Sequence, residues 1–217
     1  REWLGRAPQF ADTLRELNSG GFAFDYVSDA FLREAACENG RIRLGGGDYA
    51  ALLVPDVGEL PIETFRQIDR LAKSGAKIAF RNSVPSGVTG VGNLEANRAE
   101  AAKIRASWED LPNAKAGETA PMLESFGAKP EKSLAQNGIS FYRMRGGGGK
   151  IWFAANLSGK FSRGKIRLSS DGGGDYAYYS PLTGESMRLA QSGGEFELAL
   201  APGESCFLAE SEEKSPK

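Results

Sequence analysis

Tyr49-Ala50-Ala51-Leu52-Leu53-Val54-Pro55, then Pro61-Ile62-Glu63-Thr64-Phe65-Arg66-Gln67-Ile68-Asp69-Arg70-Leu71-Ala72-Lys73-Ser74-Gly75, then Ala76-Lys77-Ile78-Ala79-Phe80, is the stretch from which the fold follows. Ala50 to Val54 is a continuous apolar run, as expected of a strand covered on both faces in a parallel sheet, and it is taken as the central strand. Pro61 opens a helix, Glu63 suits its first turn, and Ile62, Phe65, Ile68, Leu71 and Ala72 share one face. Gly75 follows the end. Ala76 to Phe80 then gives a further strand, so the order is strand, helix, strand.

Working outward, Phe10, Leu14 and Leu17 have the spacing of one helical face, and Gly20-Gly21 stops that helix. Gly21-Phe22-Ala23-Phe24-Asp25-Tyr26-Val27 reads as a strand preceding the central one. Asp29 is expected to cap a short helical stretch through Ala35-Ala36 that ends before the Asn39-Gly40 turn. Arg41 to Leu44 alternates like an exposed strand. Arg81 to Asn93 reads as a loop, Leu94 to Trp108 as a helix, and Pro112 to Pro121 as a connector. The first part is therefore expected to be an open parallel-sheet α/β domain of the flavodoxin or amidotransferase type.

Beyond about Lys129 the helical period is lost. Seven short segments appear instead: 139–143, 150–155, 164–168, 176–179, 186–189, 196–200 and 205–208, separated by Gly-rich turns. That spacing predicts a small antiparallel β-sandwich. The expected domains are residues 1–125 (α/β), 126–212 (sandwich) and a frayed tail at 213–217.

Composition narrows the chemistry. The 217 residues allow one large or two modest domains, and the 28 glycines exceed the usual share of about 7% and imply many tight turns. A formal net charge of −1, with no long basic block, argues against nucleic acid as a partner. No apolar run approaches the roughly 20 residues that span a bilayer, so no membrane is expected. Arg1-Glu2-Trp3-Leu4 does not read as a signal peptide, and without an initiator Met it suggests a chain that begins inside a longer protein. The sequence has no His, which removes Ser-His-Asp and Cys-His catalysis and the usual His-containing zinc sites. Neither cofactor nor metal is expected.

Individual candidates follow from position. Asp56 lies just past the carboxyl end of the central strand, and Arg81 and Asn82 just past the next, where open α/β sheets bind ligands. These three are the candidate rim of a sugar site. Asp25 and Asp56 are the best-placed candidates for the two carboxylates that glycosidic cleavage needs, and a capping or turn role competes for both. Gly87-Val88-Thr89-Gly90-Val91-Gly92 stands between a strand and a helix but lacks the dinucleotide fingerprint and reads as a loop. Cys37 reads as a buried thiol at a helix end, and Cys206 as a second isolated one. Asp171-Gly172-Gly173-Gly174-Asp175 and Gly146 to Gly149 read as hairpin turns. Trp152, Phe153, Tyr176, Tyr178 and Tyr179 either fill the sandwich core or form a sugar-stacking face.

A family resemblance runs through most of these segments. Leu17-Asn18-Ser19-Gly20-Gly21-Phe22-Ala23-Phe24-Asp25-Tyr26-Val27, Tyr49 to Pro61 and the helix and strand through Phe80 resemble the region after the catalytic barrel in α-L-rhamnosidase-like glycoside hydrolases. Ile139 to Arg143 with Lys150-Ile151-Trp152-Phe153-Ala154-Ala155-Asn156 is similar to that family's hairpin. Tyr179-Ser180-Pro181-Leu182-Thr183-Gly184-Glu185 resembles its "D-P-x-T-G-E" turn, with Ser180 in place of the Asp. Leu198 to Leu208, containing Pro202-Gly203-Glu204-Ser205, resembles its closing strand.

The resemblance implies non-catalytic accessory domains of a glycoside hydrolase acting on plant or microbial polysaccharide. It implies a catalytic barrel of the same parent chain as partner, with carbohydrate nearby, and a periplasmic or extracellular setting. It transfers no catalytic residue. A carbohydrate-binding module using the sandwich aromatics is the alternative, and a self-contained hydrolase using Asp25 and Asp56 is a third.

Overall fold

The computed structural model describes residues 8–146, 149–169 and 175–211. Arg1 to Leu4, the centres of the Gly146–Gly149 and 171–175 turns, and the 213–217 tail lie outside the described residues. The chain divides into two compact units, 1–17 with 24–128 and 18–23 with 129–217.

In the first unit a three-stranded parallel sheet carries β4 (Leu52–Val54), β6 (Ile78–Arg81) and β8 (Ala114–Gly117) in that spatial order. Leu52 is opposite Ile78, and Ile78 is opposite Ala114. Helix α3 (Ile62–Lys73) links β4 to β6, and α4 (Leu94–Glu109) links β6 to β8. The α/β alternation is thus as expected, but its members differ. The central strand is β6, whose Ile78, Ala79 and Phe80 are fully buried, while β4 is an edge. The third strand comes from Ala114-Lys115-Ala116-Gly117, inside the expected connector. With no β-branched or aromatic residue it gives no strand signal, and it is recruited by pairing with β6.

Gly21 to Val27 forms no strand. Phe24 and Tyr26 meet edge to face at 5.6 Å, and Tyr26 also packs on Phe10 of the preceding helix at 5.8 Å. Aromatic alternation here reflects ring packing rather than a hydrogen-bonded ladder. Helix α1 spans Pro8–Gly20, and α2 is only Asp29–Leu32. Ser28, not Asp29, caps α2 by accepting from the Phe31 N–H, while Asp29 accepts from the Thr64 hydroxyl at 2.8 Å. The following residues make an antiparallel sheet of β1 (Ala36–Glu38), β2 (Arg41–Leu44) and β3 (Gly47–Tyr49). Asn39 and Gly40 both have positive φ, the demand of a two-residue hairpin turn, and this moves Cys37 from a helix end into a strand.

Helix α3 buries the anticipated stripe, Ile62, Phe65, Ile68, Leu71 and Ala72. Phe65 and Phe80 stack on Trp108 of α4 at 5.9 and 5.1 Å, and the Trp108 indole N–H donates to Asp69 at 3.1 Å. Burying each such ring stabilises the fold by about 1.5–3 kcal/mol. The loop after β6 holds a short strand, β7 (Gly87–Val88), parallel to β5 (Glu59–Leu60). Helix α5 (Thr119–Ser125) closes the unit.

The second unit contains all seven expected strands: β9 (Ser140–Gly146), β10 (Gly149–Ala155), β11 (Ser162–Ile166), β12 (Asp175–Tyr179), β13 (Ser186–Arg188), β14 (Phe196–Leu200) and β15 (Ser205–Ser211). They form a five-stranded antiparallel sheet in the order β13-β12-β15-β10-β9 and a two-stranded sheet of β11 and β14. Trp152, Ile166, Leu198, Leu200, Cys206 and Leu208 lie in one buried cluster. On β14 the alternation is complete, with Phe196, Leu198 and Leu200 inside and Glu197 and Ala199 outside. A short helix, α6 (Lys132–Gln136), precedes β9 and buries Leu134, a turn too short to leave a periodic signal.

Candidate functional site

The parallel register of β4 and β6 brings their carboxyl ends together, and with them Asp56 and Asn82. Asn82 sits in the left-handed region at φ 61°, a conformation Asn tolerates, and its N–H donates to the Gly117 carbonyl at 3.0 Å. From there its side-chain amide donates to one Asp56 oxygen at 3.0 Å, while the Ser83 hydroxyl donates to the other at 3.2 Å. The Asn82 hydrogen bond is the largest influence on Asp56 and holds its carboxyl below the ordinary carboxylate value. Partial desolvation opposes this, and Ser83 and the charge of Arg81 assist.

Arg81 does not share this hydrogen-bonded cluster. Its Nε donates to Glu16 of α1 at 3.0 Å, and both side chains are largely covered. The three residues expected at a rim are thus neighbours at the strand ends, but only Asp56 and Asn82 bond to each other. Ser83 and Glu16 were not anticipated. Ser83 had only its adjacency to Asn82 to suggest it, and Glu16 meets Arg81 across 65 positions with no local signal.

An ionised carboxylate keeps acceptor capacity after two hydrogen bonds, so Asp56 is suited to receive hydroxyl groups. It is poorly suited to donate a proton, since a glycosidase acid needs a raised pKa. Asp25 has another set of contacts and accepts from the Tyr49 hydroxyl at 2.8 Å. Among the described residues no group of three or more His, Cys, Asp or Glu could hold a metal ion, and no helix is long and apolar enough to cross a membrane. Both cysteines are free. Cys37 is half-buried, whereas burial of Cys206, reinforced by the charge of Glu204, pushes its thiol up to about 12.

The sandwich aromatics divide between the two faces of the larger sheet. Trp152 and Tyr176 are buried and meet edge to face at 5.9 Å. Tyr142, Phe153, Phe207 and Tyr179 are directly opposite one another across β9, β10, β15 and β12, so they form one row on the outward face. Tyr142 and Tyr179, at the ends of the row, are 51% and 44% exposed. Phe153 and Phe207 are tilted by 51°, and Tyr179 and Phe207 by 44°, so the row is not coplanar.

The turn motifs have structural work. Buried Asn156 donates to the carbonyls of Lys160 and Leu200 at 2.8 and 2.9 Å and accepts from Ser158, which ties the β10–β11 loop to β14. Ser180 accepts from the Thr183 N–H at 3.3 Å, so a polar turn role survives at this position without a carboxylate.

No family model matches the chain, and no curated protein matches it. Solved structures do. The rhamnosidase from Novosphingobium sp. PP1Y superposes with a TM-score of 0.70 at 19% identity, over 89% of this chain and 20% of that one. The chain has the fold of a part of that rhamnosidase. It spans about a fifth of the rhamnosidase's length. An exo-carrageenase from Bacteroides ovatus aligns over 92% of this chain and 26% of its own, at 11% identity and a TM-score of 0.42, too low to extend the comparison.

Proposed function

We propose that this chain is the accessory, non-catalytic part of a larger glycoside hydrolase of the α-L-rhamnosidase type, with a catalytic barrel of the same polypeptide as its partner. The observation that carries this reading is the superposition on part of a rhamnosidase at a TM-score of 0.70 over 89% of the chain. The ordered motifs agree with it, since Asn156 and Ser180 serve the fold. Asp56, whose carboxyl is held below the ordinary value by Asn82, does not suit the general-acid half of a glycosidase pair. In the accessory role Asp56 and Asn82 present hydroxyl-binding groups at a sugar site built elsewhere. The test is turnover of aryl α-L-rhamnosides by these 217 residues and by a longer polypeptide that carries them, under identical conditions. Turnover by the longer chain alone is expected. Turnover by the 217 residues would overturn the proposal.

A second reading, glycan binding by the sandwich aromatics, rests on Tyr142 and Tyr179, the exposed ends of the outward row. It expects retarded migration in gels containing neutral polysaccharide, relieved by Tyr142→Ala and Tyr179→Ala. Migration indifferent to polysaccharide ends it.

A further inference from the structure

We draw no further inference here: the strongest candidate, the outward face of the five-stranded sheet on which Tyr142, Phe153, Phe207 and Tyr179 form a row, belongs to the glycan reading already given, and nothing else in the structure shows what covers it.

Discussion

Each unit holds a carboxylate that collects hydrogen bonds from separate parts of the chain, and the two differ in their surroundings. Asp56 stands at the ends of β4 and β6, partly in water, with an amide and a hydroxyl as its donors. Glu131 is 0% exposed. It accepts from the Trp152 indole at 2.8 Å, the Arg143 guanidinium at 2.8 Å, the Ser169 N–H at 2.8 Å and the Ser169 hydroxyl. Its main chain also receives the segment 18–23, because the Glu131 N–H donates to the Gly21 carbonyl at 2.7 Å. A surface carboxylate can be lost to water at little cost. A buried one that satisfies several donors leaves buried donors stranded when removed. Glu131 is therefore a determinant of the sandwich, whereas Asp56 keeps its contact with water beside the Asn82 and Ser83 hydrogen bonds.

The sharpest way to break this contrast is Glu131→Ala. It leaves the Trp152 indole and the Ser169 N–H without their acceptor and Arg143 with only the Lys129 carbonyl and the Ser169 hydroxyl, and it is expected to destabilise the second unit by about 3–5 kcal/mol. The two cysteines report each unit separately, Cys37 for the first and Cys206 for the second. Thiol labelling in the variant should accelerate at Cys206 and stay unchanged at Cys37. Equal acceleration at both would show that Glu131 does not act on the sandwich in particular.

Gly21→Ala tests the same junction from the other side. Gly21 has φ 76°, and a Cβ there would lie 2.7 Å from the Glu131 carbonyl oxygen, a main-chain atom that cannot swing away. The expected cost is about 1–3 kcal/mol, read as a lower urea midpoint for Cys206 exposure. A midpoint equal to that of the parent sequence would mean that this contact relaxes freely.

The sandwich was more readable in the sequence than the parallel sheet, for a physical reason. All seven sandwich strands alternate or carry aromatics between Gly-rich turns, so each segment declares itself locally. In the parallel sheet, β8 is Ala-Lys-Ala-Gly and becomes a strand only through its pairing with β6, while Phe22 to Val27 has the composition of a strand and forms none, its Phe24 and Tyr26 packing ring against ring. The position of Asp56 and Asn82 followed from strand ends alone. The Arg81–Glu16 pair and Glu131 did not, because each depends on which distant segments meet. Glu131, in Lys129-Pro130-Glu131-Lys132, is indistinguishable in sequence from a solvated turn residue.

Alkaline titration offers a smaller effect confined to the second unit. The folded Cys206 thiol is raised to about 12, so the stabilisation from keeping it protonated is complete below the unfolded thiol's value near 8.5. It is lost as pH rises from there through the folded value. By pH 10 the sandwich should have lost about 2 kcal/mol relative to a Cys206→Ala variant measured against its own neutral-pH stability. A parallel decline in the two proteins would assign the loss to other groups.

The smallest expected change in stability belongs to Asp56→Asn. At neutral pH its melting temperature should match that of the parent sequence, because the carboxylate is near water and Asn keeps the side-chain shape. Asp56 has a lowered folded pKa, so whatever it contributes is present above the ordinary carboxylate range and disappears as pH falls through that lowered value. Any gap between the two proteins should thus close in acid. In a longer rhamnoside-cleaving chain, loss of a hydroxyl acceptor at a sugar rim should raise KM while kcat stays nearly constant, since the interaction would be the same in substrate and transition state. A fall in kcat at constant KM would instead place Asp56 at the reacting bond. Unchanged kinetics with unchanged stability would remove it from the sugar site and leave the Asn82 and Ser83 hydrogen bonds as a turn-forming arrangement.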